Sequence, residues 1–335
     1  MAAVTESVSF GITASTSYIH EVMPHDERYP AAEEYMDVVY QLWEKPWEDG
    51  AAVWQEEPEM AYDPSKIHKI NYDGKYFKMN ASHQTHPSPQ RTPLLFQAGS
   101  SKAGVDIGGR HAEAIFSANP TITSTKKYTA SVRGKAVEEG CNPSDIKIFL
   151  GIMPIIGKTL EEAKAKFAIA KQRFSVNGGL ARFCGFSGVI NNIKEIADEE
   201  VLTPRKIAEL FALGGAGPRP IGTPEMVAGF FEKWWREADI DGFNVNYISN
   251  PESFEDVVGL VVPELQKRGI YWNHYPAPGG TLRENVHFAP GESLLPATHP
   301  GAKVRWNAPK ETEAKSGKAE VVVSVAEAVS TQVKA

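Results

Sequence analysis

The chain has 335 residues, 42% of them hydrophobic and 23% charged, a composition that excludes a disordered, fibrous or collagenous protein and allows a sizeable core. Its 35 Lys and Arg against 42 Asp and Glu give a formal net charge of -7, so no basic field is available for a nucleic-acid backbone. Cys141 and Cys184 stand far apart, which excludes a disulfide scaffold and a cysteine zinc site and points to a reducing compartment. No run approaches the roughly 20 apolar residues of a membrane span, and the opening MAAVTESVSFGITAST lacks the regions of a signal peptide. No membrane partner is expected, and the expected location is the cytoplasm.

Apolar, β-prone runs alternate with segments of helical period, the pattern of an α/β protein with a parallel sheet. The first strand is expected at Val8–Thr13. PHDERY then places His25 and Tyr29 four residues apart. If a helix has begun there, both project the same way and offer two donors to an anion; otherwise the segment is a polar helix entry with Asp26 and Glu27 complementing the dipole. The spacing of Met36, Val39, Tyr40 and Trp43 predicts a helix over Pro30–Trp43 with proline in its first turn. Pro46–Arg91 is too long for an ordinary connection and reads as an insertion. His83 and His86 within it have metal-like spacing but no acidic partner nearby, so they read as loop residues and no metal is expected.

The strand Pro93–Gln97 runs into Ala98-Gly99-Ser100-Ser101-Lys102-Ala103-Gly104 and then a helix carrying Arg110 and His111. Small residues here let backbone N–H groups and two hydroxyls approach an anion at a helix N-terminus. The segment is neither a Walker loop nor a dinucleotide fingerprint, and alone it reads as an ordinary Gly-Ser βα turn before it reads as an anion loop. Further strands are expected at Ala112–Ser117, Ile146–Met153 and Gly242–Ile248, and helices at Leu160–Phe174, Thr223–Ala238 and Ser253–Arg268. Thr223 reads as an N-cap, and Ser253 and Asp256 stand in capping-box register. Gln172–Gly222 is a second irregular region, with a helix around Pro204–Leu213 and a Gly/Pro connector, GGAGPRPIG. The tail over 307–335 is charged, rich in Ala and Val and free of aromatics after Trp306, and is expected to be disordered. No GxSxG or HExxH is present, and the seven Trp read as packing residues.

Taken together, PHDERYPAAEEYMDVVYQLWEKPWEDGA, YDPSKIHKINYDGKYFKMNASHQTHPSPQRTPLLFQAGSSKAGVDIGGRHAEAIFSA, GTPEMVAGF, DGFNV and TLRENV resemble the nitrilotriacetate and dibenzothiophene-sulfone monooxygenase branch of the luciferase-like flavin-dependent monooxygenases. The likeness runs over most of residues 1–306, read as one domain. It implies a TIM-barrel-like fold with insertions near 46–91 and 172–222. It also implies a chemistry in which reduced FMN, supplied by a separate flavin reductase, and O2 act on a small organic substrate. Carried over position by position, it assigns Ser100 and Ser101 to the FMN phosphate, His25 and Tyr29 to the flavin, and Thr13 to a strand beneath the ring; it assigns no catalytic residue. Homo-oligomerisation is left open.

The family pattern also holds a strand, helix and strand before the segment matched by MAAVTESVSF, and a helix, strand and helix where this chain passes directly from Tyr18 to Ile19. The expectation is therefore an incomplete barrel with about five of eight strands. The alternative to a working enzyme is an impaired remnant or incomplete gene model that binds FMN weakly and turns over little. An NAD-linked barrel oxidoreductase would need a second nucleotide anchor, and none is evident.

Overall fold

The computed structural model describes residues 25–184, 202–215 and 217–308. In chain order these hold α1 (His25–Glu44), β1 (Ala52–Gln55), β2 (Met60–Tyr62), β3 (Ile70–Asp73), β4 (Lys78–Ala81), β5 (Phe96–Gln97), α2 (Lys102–His111), β6 (Ala114–Ser117) and α3 (Ile122–Glu138). They continue with β7 (Lys147–Ile152), β8 (Ile155–Ile156), α4 (Leu160–Arg173), α5 (Val176–Cys184), α6 (Pro204–Ala212), β9 (Ile221–Gly222) and α7 (Pro224–Glu237). The last elements are β10 (Gly242–Val245), α8 (Glu252–Asp256), α9 (Val262–Lys267) and α10 (Leu282–His287).

Four of the expected strands form one parallel sheet in the order β10-β7-β6-β5; the fifth, Val8–Thr13, lies outside the described residues. Phe116 pairs with Phe149, and Phe149 with Gly242. This register divides the sheet into two faces. Ile115, Ile148 and Leu150, each 0% exposed, pack with Val132 and Ala136 of α3 and Trp234 of α7. Ile152 and Ile156 extend that core against Val227, Phe231, Val261 and Leu265. On the opposite face Phe96 and Phe116 stack with centroids 5.0 Å apart, yet remain 40% and 38% exposed. Parallel strands covered by helices on one face and joined in sequence by helices are the βα units of a barrel wall.

The strand at Pro93–Gln97 contracts to two residues. Leu95 N–H is taken by the Glu113 carboxylate, and the Leu95 carbonyl receives both Glu113 N and Ala114 N, so the ladder starts only at Phe96. A short parallel pair, β8 with β9, has no readable sequence signal because each strand is two residues long. Between α1 and β5 the chain makes two antiparallel hairpins, β1 with β2 and β3 with β4.

Helix α1 starts five residues before Pro30, which sits inside it. Proline there forfeits only the bond to the Asp26 carbonyl, close to the helix's free end. The expected helix at Ser253–Arg268 is instead α8, a π-helical turn over Val257–Val261, and α9. Pro263 supplies no N–H to the ladder where the turn widens. Ser253 is not the cap: its hydroxyl accepts from Ile248 N and Ser249 N, while Asp256 pairs with Lys166 at 2.7 Å. Thr223 does cap α7, accepting from Met226 N. Helix α3 is absent from the sequence reading because two of its four buried positions, Thr125, Thr129, Val132 and Ala136, are threonines. Thr125 is accommodated by donating to the Thr121 carbonyl at 2.8 Å.

Candidate functional site

The C-terminal ends of β5 and β6 form the upper rim of the sheet, where α/β barrels place their chemistry. Beyond Gln97 the chain turns through Gly99, Ser100 and Ser101 into α2, and the turn is shaped by glycine. A Cβ on Gly99 would stand 3.2 Å from Gly104 Cα, and one on Gly104 would stand 3.0 Å from the Gly99 carbonyl carbon, so the loop lies directly on the first turn of the helix. Ser101 is the N-cap: its hydroxyl accepts from Gly104 N at 3.1 Å. Farther along α2, a Cβ on Gly109 would meet Lys135 Cβ at 2.7 Å, so glycine is needed there for α2 to lie close against α3.

Tyr29 reaches this loop from 72 residues away, with its hydroxyl 3.1 Å from Ser101 Oγ. The entry of α1 and the N-terminus of α2 therefore meet at the rim. His25 is the first residue of α1, one helical turn before Tyr29; its side chain and all of Thr13 lie outside the described residues. Ser100 and Lys102 are exposed beside Ser101. The rim thus presents hydroxyls, a helix N-terminus and a lysine, with no carboxylate within the loop, which is a chemistry for an anion.

Two residues of this rim carry no motif and are missed by sequence reading. Tyr128 of α3 donates to the Gly99 carbonyl at 2.8 Å, and burial pushes its phenol up to about 12, so it stays a donor at any ordinary pH. Gln97 lies beneath the turn, its Nε2 3.0 Å from where a Gly99 Cβ would be, and its buried Oε1 takes no hydrogen bond among the described residues. The capping signature Thr121–Ser124 was the available sign of the helix that carries Tyr128.

At the opposite, lower rim the polar groups are locked into structure. Arg283 of α10, 1% exposed, donates to both Glu113 oxygens at 2.6 and 2.8 Å and to the carbonyls of Gln90, Thr92, Pro93 and Ser293. Burial alone would raise the Glu113 carboxyl, but the Arg283 hydrogen bonds overcome it and hold the group at about 2. Glu44, at the end of α1, accepts from Thr92 N and Oγ1 and from Arg305 Nε. His111 bridges the Tyr40 hydroxyl at 2.9 Å and Glu33 at 2.8 Å. His299 lies within 3.0 Å of the His111 carbonyl through Nε2, while its Nδ1 accepts from Gly301 N.

His86 packs its ring against two tryptophans, and His83 takes part through its backbone. Trp47 Nε1 donates to the His83 carbonyl, and the His86 ring lies 5.0 Å from Trp47 and 4.8 Å from Trp54. Among the described residues no group of three His, Cys, Asp or Glu is arranged to hold a metal, and no helix is long and apolar enough to cross a membrane.

The model of the luciferase-like monooxygenase family matches residues 4–241, which spans both sides of the upper rim. The chain belongs to that family. It is 38% identical over 292 residues to the long-chain alkane monooxygenase of Geobacillus thermodenitrificans (strain NG80-2), covering 86% of this chain and 65% of that protein. The crystal structure of long-chain alkane monooxygenase superimposes with a TM-score of 0.75 at 37% identity, over 85% of this chain and 65% of that one. Nitrilotriacetate monooxygenase component A of Aminobacter aminovorans is 33% identical over 291 residues, 79% of this chain and 63% of its own length. The structure of a riboflavin lyase with modified FMN and riboflavin also matches, with a TM-score of 0.75, 33% identity and coverage of 86% of this chain and 68% of that one. The chain therefore spans 65% of the alkane monooxygenase's length, and its fold is that of the TIM-barrel-like family, of which the four parallel strands form part of the wall.

Proposed function

We propose that this chain is an FMN-dependent monooxygenase that takes reduced flavin from a separate flavin reductase and, with O2, oxidises a small organic substrate. The observation that carries the reading is the 3.1 Å contact between Tyr29 and Ser101: the two sequence signals for an anion, separated by the whole insertion, converge at one helix N-terminus on the rim where this fold does its chemistry. The residues there fit a flavin phosphate. Ser100 and Ser101 offer hydroxyls, Tyr29 a phenol, and Gly99 and Gly104 the close backbone approach that a side chain would fill; His25, and Thr13 by resemblance, complete the flavin set. When bound, the reduced flavin supplies two electrons to O2, so that one oxygen atom enters the substrate and the other leaves as water. The protein's part is to anchor the phosphate through Ser100, Ser101 and Tyr29 and so to fix where the flavin ring lies.

The similarity to monooxygenases at 33% to 38% identity favours this reading over an impaired remnant. A reducing, flavin-supplying compartment such as the cytoplasm suits it, and Cys141 and Cys184 are both free thiols. For substrates, the alkane and nitrilotriacetate named for the relatives define the first panel: long-chain alkanes and aminopolycarboxylates.

The test uses the whole chain with FMN, NADH, a flavin reductase and isotopically labelled dioxygen. Tighter binding of FMN than of riboflavin, and label in the product, are the expected results. A chain that binds no FMN and incorporates no label across the panel overturns the reading.

A further inference from the structure

We infer that Tyr128 is a positioning residue for the anion loop: by holding the Gly99 carbonyl it turns the Ser100 N–H toward the bound phosphate. This inference rests on the flavin reading above and concerns one peptide plane within it. In a trans peptide the C=O of one residue and the N–H of the next point in opposite directions. The Gly99 carbonyl is directed to α3, where Tyr128 donates to it at 2.8 Å, so the Ser100 N–H is directed away from α3. No hydrogen bond among the described residues takes up that N–H. The neighbouring donor Gly104 N is used by Ser101 Oγ, whereas the Ser100 N–H joins the first amides of α2 in facing the ligand side of the loop without a partner among the described residues.

The loop's own glycines set its close packing but not the orientation of this peptide. Gly99 and Gly104 approach each other so closely that neither has room for a Cβ without displacement, and glycine at 99 otherwise leaves the peptide free to rotate. The Tyr128 hydroxyl therefore supplies the restraint that the sequence of the loop itself lacks. Released from it, the Gly99 carbonyl is free to swing toward the ligand, where its partial negative charge opposes a phosphate. Tyr128 touches neither flavin nor substrate in this account; it acts through the peptide.

The experiment compares the full chain with Tyr128→Phe and Tyr128→Met, which remove the donor while keeping apolar bulk of different shape. FMN and riboflavin are titrated separately, inorganic phosphate is used as a competitor against FMN, and near-UV circular dichroism reports whether each variant is folded. The expected result is a loss of about tenfold in FMN affinity in both variants, the loss of one hydrogen bond to a charged group, with riboflavin affinity unchanged and phosphate competition weakened. An FMN-to-riboflavin ratio equal to that of the parent chain in either folded variant overturns the inference, as does an equal loss for both flavins, which marks a purely structural role. A parent chain that binds FMN no better than riboflavin overturns the flavin-phosphate reading and the inference with it, so the two failures are distinguished by the parent measurement.

Discussion

The two rims of the sheet use polar residues in opposite ways. At the lower rim, Glu113 and Arg283 are each 1% exposed and both carboxylate oxygens are engaged, as are the three guanidinium nitrogens. At the upper rim, Ser100, Ser101 and Lys102 are exposed, and Ser101 is held by one amide and one phenol. A buried charge must be fully paired to be tolerated, whereas a binding loop must keep donors uncommitted until its ligand arrives. In barrel folds the first arrangement belongs to stability and the second to function.

The strongest way to break this division is Arg283→Met. It strands the Glu113 carboxylate in the core, and the cost expected for an unpaired buried charge is about 3–5 kcal/mol. Urea unfolding should show a loss of that size, while the fraction that remains folded keeps its FMN affinity. A neutral result would mean that the lower rim is not a stability device.

The second test is acid. Glu113 titrates in the fold near 2, below its ordinary value of 4.5, so its stabilising effect is complete above pH 4.5 and is lost as pH falls from there toward 2. His299 is shifted down from 6.5 by burial, so the unfolded chain takes up its proton first, and stability is lost as pH falls below 6.5. Denaturant midpoints measured across this range should decline in two stages. Glu113→Gln, if folded, should flatten only the lower stage, and a single uniform decline would contradict the assignment.

At the upper rim the expected effects invert, with binding lost and stability nearly kept. Ser101→Ala removes the cap, worth about 1 kcal/mol of stability, and should weaken FMN binding about tenfold by deleting a hydrogen bond to a charged group. Tyr29→Phe is the mildest change, because the Ser101 hydroxyl still accepts from Gly104 N and caps α2: a two- to threefold loss of FMN affinity is expected, with no change in unfolding. A larger effect of Tyr29→Phe on unfolding than on FMN would place that contact with the structural group.

Much of this was legible in the sequence. Alternating strand and helix signals located four parallel strands, because short runs of apolar, β-prone residues bounded by turn residues are a local pattern. The Gly-Ser loop after Gln97 and the pair His25 and Tyr29 were visible as two separate signals, since small residues after a strand and donors one helical turn apart are local features. The capping of α7 by Thr223 was equally local, whereas Ser253 matched a cap in spacing and was diverted to the amides of Ile248 and Ser249. What only the tertiary structure decided is non-local. The contact of Tyr29 with Ser101 spans 72 positions and that of Arg283 with Glu113 spans 170, and nothing in the spacing of either pair announces it. Tyr128 carries no motif, and it acquires a role only because α3 packs beside the loop and brings a buried phenol to the Gly99 carbonyl. Sequence periodicity determines which face of an element is apolar; the packing of those faces decides which distant polar groups meet, and those meetings separate the binding rim from the structural one.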